Sequence, residues 1–358
     1  MLTTILERKL LRELTRLRGQ IATIALVVAS GIVAFISLRG TYASIEASSR
    51  RYYDAYRFAD VFATATRVPD AVGAAIERIA GVAAMETRIV EDITVPIEEM
   101  PRPAYGRLLS LPAGREPATN ALHLRQGRWP ERERRDEVVV LESFASAHGL
   151  SPGDSLPAII NGKLRSLSIV GVALSPEFVF AIRPGALAHD PKRYAVLWMH
   201  RSVVAAAFDL DGAFNEVSVR LEPGASADAV QAELDRLLAR YGGDGAFRRR
   251  DQLSNRILSQ QLQQLATLST MIPLIFLGVA VFLVDLVLSR LIRLERPSIA
   301  TLKAVGYSNR AIALHYLGLV AVVIVPGCAL GIAGGHADSY GAPHARRHRQ
   351  GGRLRSGP

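Results

Sequence analysis

Cysteine is almost absent from these 358 residues: Cys328 stands alone, so no intrachain disulfide can brace the fold. A phosphate-binding loop is missing too. No G-x-x-x-x-G-K-[ST] occurs, and the only Gly-Lys pair, Gly162-Lys163, is followed by Leu164, so the chain cannot take ATP by that route. The histidines, His123, His148, His189, His200, His315, His336, His344 and His348, form no H-E-x-x-H arrangement and join no cysteine cluster. Neither a metal nor any other cofactor is expected. Gly149-Leu150-Ser151-Pro152-Gly153 matches G-x-S-x-G, but the residue after the serine must donate a backbone N–H to an oxyanion, and Pro152 has none. That segment reads as a turn, and the chain does not read as an enzyme.

What is present is apolar length. Hydrophobic residues make up 49% of the chain and charged ones 21%, and the mean hydropathy is positive, +0.18. The apolar residues concentrate in three runs, each long enough to cross a hydrocarbon core about 30 Å thick. Ile21 to Leu38 carries no charge, Leu265 to Ser289 carries only Asp285, and Tyr316 to Gly335 carries none. A secretory signal peptide is the alternative for the first run, but its apolar part exceeds the usual length of about 7–15 residues and no clear A-x-A site follows. Asp285 lies five residues before Arg290, where pairing with it or with a headgroup would lower the cost of its charge.

Orientation follows from Lys and Arg in the short flanks. Arg8, Lys9, Arg12, Arg16 and Arg18 precede the first run against Glu7 and Glu13, and Arg290, Arg293, Arg296, Lys303 and Arg310 lie between the second and third against Glu295 alone. The expected layout is a cytoplasmic segment over residues 1–20, transmembrane helices at 21–38, 265–289 and 316–335, a cytoplasmic loop at 290–315 and a basic, disordered tail at 336–358. Residues 39–264 then lie outside the cytoplasmic membrane. The net charge of +10 is largely accounted for by these flanks and the tail, so nucleic acid is not an expected partner and membrane lipid is.

Inside the external segment, Asp70-Ala71-Val72-Gly73-Ala74-Ala75-Ile76-Glu77-Arg78-Ile79 aligns without gaps to Asp228-Ala229-Val230-Gln231-Ala232-Glu233-Leu234-Asp235-Arg236-Leu237. Each copy reads as a helix with an acidic first turn and a neighbouring strand, Thr87 to Val95 after the first and Glu216 to Leu221 before the second. Chance similarity of two amphipathic helices is the other reading. Residues 97–210 differ, with many Pro and Gly and short strand signals: Glu137 to Leu141, Tyr194 to Met199, and a hairpin over Pro157 to Val172 turning at Asn161-Gly162. Segments Thr41 to Arg57 and Ser254 to Gln264 read as stalk helices continuing the first two spans. The fold class is thus an α+β membrane protein, with three transmembrane helices and a large extracytoplasmic α/β domain carrying an inserted, mainly β subdomain.

The loop LERPSIATLKAVGYSNRAIALHY is the most informative stretch. Pro297 suits a first helical turn, Ile299, Leu302 and Val305 recur on a narrow apolar face, Lys303 points elsewhere, and Gly306 can take the left-handed conformation that closes a helix. Ser308 is placed to cap the next helix. Arg296 to Gly306 resembles the cytoplasmic coupling helix of FtsX-like ABC permeases, matching from Ile299 to Gly306 and departing at Ser298, where the family carries Glu, and at Ala300, where Gly is common. Gly127-Arg128, Glu137 to Val140, Gly149-Leu150 and Gly153-Asp154 resemble the MacB-type external domain.

The resemblance implies a permease subunit without its own ATPase site, paired with a second permease copy or half and with an ABC ATPase subunit. Its work would be export or lipid and lipoprotein handling, with Ile299, Leu302, Lys303, Val305 and Gly306 at the ATPase contact. The family has a fourth span where this chain has an Arg-rich tail, which points to a frameshifted or truncated C-terminus or to the first half of a longer permease. A membrane-anchored sensor or envelope scaffold acting on an external partner, such as a cell-wall hydrolase, is the other functional class.

Overall fold

The computed structural model describes residue 15 and residues 18–98, 100–112, 115–183, 185–186 and 189–351, without side chains at 323 and beyond 335. The expected cytoplasmic segment 1–20 falls mostly outside these residues. Two compact units divide the chain: Met1–Ala47 with Gln261–Pro358, and Ser48–Gln260.

The first unit holds the three apolar helices. Helix α1 runs Arg18–Ala55, and residues 253–294 and 309–351 form two more. Each is long and apolar enough to cross a membrane. At 1.5 Å per residue, the 38 residues of α1 measure roughly 57 Å, so the helix continues well past one hydrocarbon thickness. The expected stalk segments thus continue the first two apolar helices without a break, the first of them as far as Ala55. Glycines bring the helices together: a Cβ at Gly327 would lie 2.8 Å from the Ala25 carbonyl oxygen, and one at Gly331 only 2.7 Å from Ile32 Cβ. Such close backbone approach substitutes for the hydrophobic drive that lipid removes. Backbone helix extends to Gly351 across residues expected to be disordered. Asp285 makes no ion pair with Arg290 among the described residues; it is exposed on its helix.

The second unit begins with β1 (Val61–Pro69), a 3-10 turn at Asp70–Val72, α2 (Gly73–Glu77) and β2 (Val82–Arg88). An inserted sheet follows, made of β3 (Val90–Val95), β4 (Ala104–Leu111), β5 (His123–Gly127), β6 (Glu137–Leu141), β7 (Ser155–Ile160), β8 (Lys163–Leu174) and β9 (Tyr194–His200), with α3 (Glu142–His148) and α4 (Arg201–Phe208). The chain then returns through β10 (Ala213–Leu221), α5 (Ala227–Leu238) and β11 (Ala246–Arg248) to α6 (Leu253–Leu294), α7 (Arg296–Ala304) and α8 (Asn309–Gly351).

Strands from before and after the insertion share one antiparallel sheet, ordered β11-β1-β10-β2. That is the β-α-β-β-α-β plan, with the insertion between its second and third strands. The two helices of the sequence repeat cover one face. Val72, Ile76 and Ile79 share a core with Val230, Leu234 and Leu237, so aligned positions serve the same packing role.

The inserted sheet has the order β5-β8-β6-β9-β4-β3-β7, and β7 also pairs with β8, which closes six strands into a ring. Asn161 and Gly162 both have positive φ, 46° and 72°, as the turn joining β7 to β8 requires. Along β9, Ala195, Leu197 and Met199 enter one core while Tyr194, Val196 and Trp198 enter the other, as strand alternation dictates. Ser151, within the excluded hydrolase motif, lies in a turn whose amide donates to Asp154 Oδ2.

The insertion starts at Val90 rather than residue 97, because the expected strand Thr87 to Val95 is two strands. Ile89 separates them: its side chain is fully buried, its amide donates to Ser110 Oγ, and its carbonyl accepts from Ser110 N. Val90 then pairs with Leu109 in the second sheet.

Candidate functional site

Helix α7 is a short element with defined ends. Pro297 occupies the first turn, where a missing N–H costs nothing. At the far end Gly306 takes φ +97°, its amide donates to the Lys303 carbonyl, and the Tyr307 amide donates to the Leu302 carbonyl. These two bonds make a Schellman closure, which usually brings an apolar contact between its flanking residues. Here the two residues in those places, Leu302 and Tyr307, both pack against the cluster of Leu291, Ile312, Tyr316 and Leu319. Ser308 Oγ accepts from the Ala311 amide and caps α8.

The expected apolar face divides. Ile299 and Leu302 are half-buried on the chain's own cluster, whereas Val305 is 69% exposed. Three-residue steps fall about 60° short of a full turn, so a 299–302–305 row winds around the helix, and Val305 already sits at the cap. Lys303 and Gly306 are exposed with it. Ile299 and Leu302 thus sit on the anchored side, while Lys303, Val305 and Gly306 are exposed at and just past the C-terminal end of the helix without sharing one face.

A second constellation escaped the sequence reading. Arg88, at the end of β2, is buried; it donates to Glu216 Oε1 at 2.6 Å on the neighbouring strand and to both carboxylate oxygens of Glu177 at 2.7 Å. Glu177 lies on a 3-10 turn at Pro176–Phe178 in the inserted region. Burial opposes the Arg88 charge, but the two carboxylates outweigh it and hold the guanidinium protonated. Burial, with the Glu177 charge adding to it, pushes the Glu216 carboxyl above its ordinary value despite Arg88.

The region around this triad ties the segment ends together. Glu86 accepts from Arg115 and from the Ala118 amide, and Asn120 donates to Glu177 while accepting from the Ala59 amide. The amides of Asn120 and Ala121 donate to the carbonyls of Arg57 and Tyr56, just past α1. On the other side Gln252 donates to the Glu177 carbonyl and Ser254 Oγ accepts from the Phe180 amide, where α6 begins. No local signal marks this network, because the partners of Arg88 lie 89 and 128 positions away. Among the described residues no group of three or more His, Cys, Asp or Glu could hold a metal ion.

Residues 21–237 match the MacB-like periplasmic core domain, and residues 270–340 match the FtsX-like permease C-terminal region. This chain belongs to the FtsX-like ABC permeases with a MacB-type external domain. The permease is a membrane protein with an extracellular domain, and α7 lies inside the matched C-terminal region.

Solved structures similar to the permease include the extracellular domain of the noncanonic ABC-type transporter YknZ from Gram-positive bacteria, at 14% identity over 53% of this chain and 98% of that one, TM-score 0.34. The periplasmic region of MacB from Actinobacillus actinomycetemcomitans is 11% identical over 59% and 95%, TM-score 0.35. A domain of a permease protein from Porphyromonas gingivalis is 17% identical over 56% and 96%, TM-score 0.32. A comparison with curated proteins finds no match.

Proposed function

We propose that the permease couples ATP hydrolysis by a separate ABC ATPase subunit to movement of its extracellular domain. In this reading it crosses the inner membrane several times, with its N-terminus and α7 on the cytoplasmic side. The observation that carries the proposal is that α7 is anchored along one side and exposed at its C-terminal end. The anchored side is fixed to the chain's own helices through Ile299 and Leu302, and the exposed end presents Lys303 and Val305, which join no apolar cluster among the described residues. A docking element needs both, an anchor to pass force inward and an exposed end to receive it. The basic flanks support the orientation. The absence of a phosphate-binding loop from this sequence supports a separate nucleotide-handling subunit.

The path outward follows from continuity. Helices α1 and α6 are unbroken, so displacement along either arrives at Tyr56–Arg57 or at Gln252–Ser254, where the Asn120 and Glu177 segments hold the backbone. Val305→Asp places a charge on the exposed end without touching the anchored cluster. The ATPase that co-purifies with the wild-type permease from membranes should be lost from this variant while its thermal unfolding is unchanged. Undiminished co-purification would count against docking at this end. Leu302→Asp is the poorer probe, since it breaks the internal anchor as well.

A further inference from the structure

The extracellular domain contains a cleft of about 410 Å³ beside the ends of β4 and β9. Trp129 lines it together with Pro112, Pro117 and Pro130, a wall of rigid apolar groups that loses little freedom when a ligand settles on it. Trp129 is 38% exposed, whereas the other tryptophan, Trp198, is buried in the core. The volume falls within the range of small-ligand sites, roughly 300–1,000 Å³.

Two residues lining the cleft, His200 and Arg132, carry polar groups without a partner among the described residues. His200 caps α4: its Nδ1 lies 2.9 Å from Ser202 Oγ and 3.4 Å from the Ser202 amide, which can only donate. Nδ1 is therefore the acceptor, and the proton of the neutral ring sits on Nε2. That Nε2 is buried without a hydrogen-bond partner, in a residue only 6% exposed. Buried donors are seldom left unpaired, because water's hydrogen bonds are lost without replacement. Burial, reinforced by the nearby Arg132 charge, shifts His200 below its ordinary value and keeps the ring neutral. Arg132 itself is exposed on the cleft and has no ion pair among the described residues. The other charged groups on the wall are engaged, Arg115 by Glu86 and Glu116 by Arg57.

We propose that this cleft binds a small organic anion with a flat apolar body. The body lies against Trp129 and the prolines, and the anionic oxygens accept from the Arg132 guanidinium. A free guanidinium suits a carboxylate and a phosphate equally.

The full chain in lipid nanodiscs is titrated calorimetrically with 2-naphthoate, 2-naphthyl phosphate and neutral 2-naphthylmethanol, with the heat of empty nanodiscs subtracted. At least one anion should bind saturably, roughly tenfold or more tighter than the alcohol. Whichever anion binds more tightly identifies the natural ligand as a carboxylic acid or a phosphate ester. Arg132→Ala should bring that anion to the level of the alcohol, and Trp129→Ala should weaken all three; both positions are exposed, so folding is not at stake. Absence of saturable heat with either anion overturns the proposal, as do affinities that both variants leave within about twofold of wild type. The titration contains neither ATPase nor nucleotide, so its failure leaves the coupling proposal untouched.

Discussion

The two faces of the four-stranded sheet are equally buried and opposite in character. Toward α2 and α5 stand Val61, Ala63, Val217 and Val219, a face of oil. On the other face of the same strands stand Glu86, Arg88, Glu216 and Ser218, none more than 8% exposed. The first face is covered by helices close in sequence, so any well-sized apolar set suffices. The second is covered by the insertion, and its charges are tolerable only because Glu177, Arg115, Thr119 and Asn120 arrive at the right places. An apolar face accepts many partners; a charged buried face accepts one arrangement, because half-satisfied networks are penalised. The polar face therefore sets where the insertion sits, and the apolar face supplies cohesion.

The largest effect should come from Arg88→Met, which leaves Glu177 and Glu216 buried and facing each other. Loss of about 3–5 kcal/mol is expected in denaturant unfolding of the protein at neutral pH. The loss should shrink on acidification toward about pH 4, where carboxylates take up protons. An equal loss at both pH values would contradict the assignment of Arg88 as the counter-charge. Leu234→Ala, on the apolar face, should cost roughly 2–5 kcal/mol through a cavity, with little dependence on pH. The pair of variants thus separates the faces by pH response more than by size.

Glu216→Gln should have the smallest effect, about 1 kcal/mol or less, since the network already carries one more carboxylate than its single buried guanidinium balances. Its pH signature is sharper. A carboxyl whose folded pKa is raised above its ordinary 4.5 holds its proton better in the folded state, so the stability it contributes is complete below 4.5 and is lost as pH rises through the folded value. Wild type should show that decline and Glu216→Gln should not; identical profiles would show that Glu216 does not titrate as described.

The same contrast explains what was legible in the sequence. Local rules carried far: the Asn161-Gly162 turn, the three apolar helices, the Schellman glycine at 306, and the repeat whose aligned apolar positions share one core. The division of Thr87 to Val95 was hidden because alternation runs on through Ile89, and only the distant Ser110 separates the two strands. The winding of Val305 away from Ile299 was readable from helical period alone. The Arg88 triad was not readable, since nothing near residue 88 points to residues 177 and 216.

The central claim, that α7 receives force from a nucleotide-driven partner, requires that helix to lie on the nucleotide side of the membrane. With Cys328→Ser in place, Lys303→Cys can be labelled by a membrane-impermeant maleimide in spheroplasts and in inside-out vesicles. The account predicts labelling in the inside-out vesicles only; labelling of intact spheroplasts would contradict it.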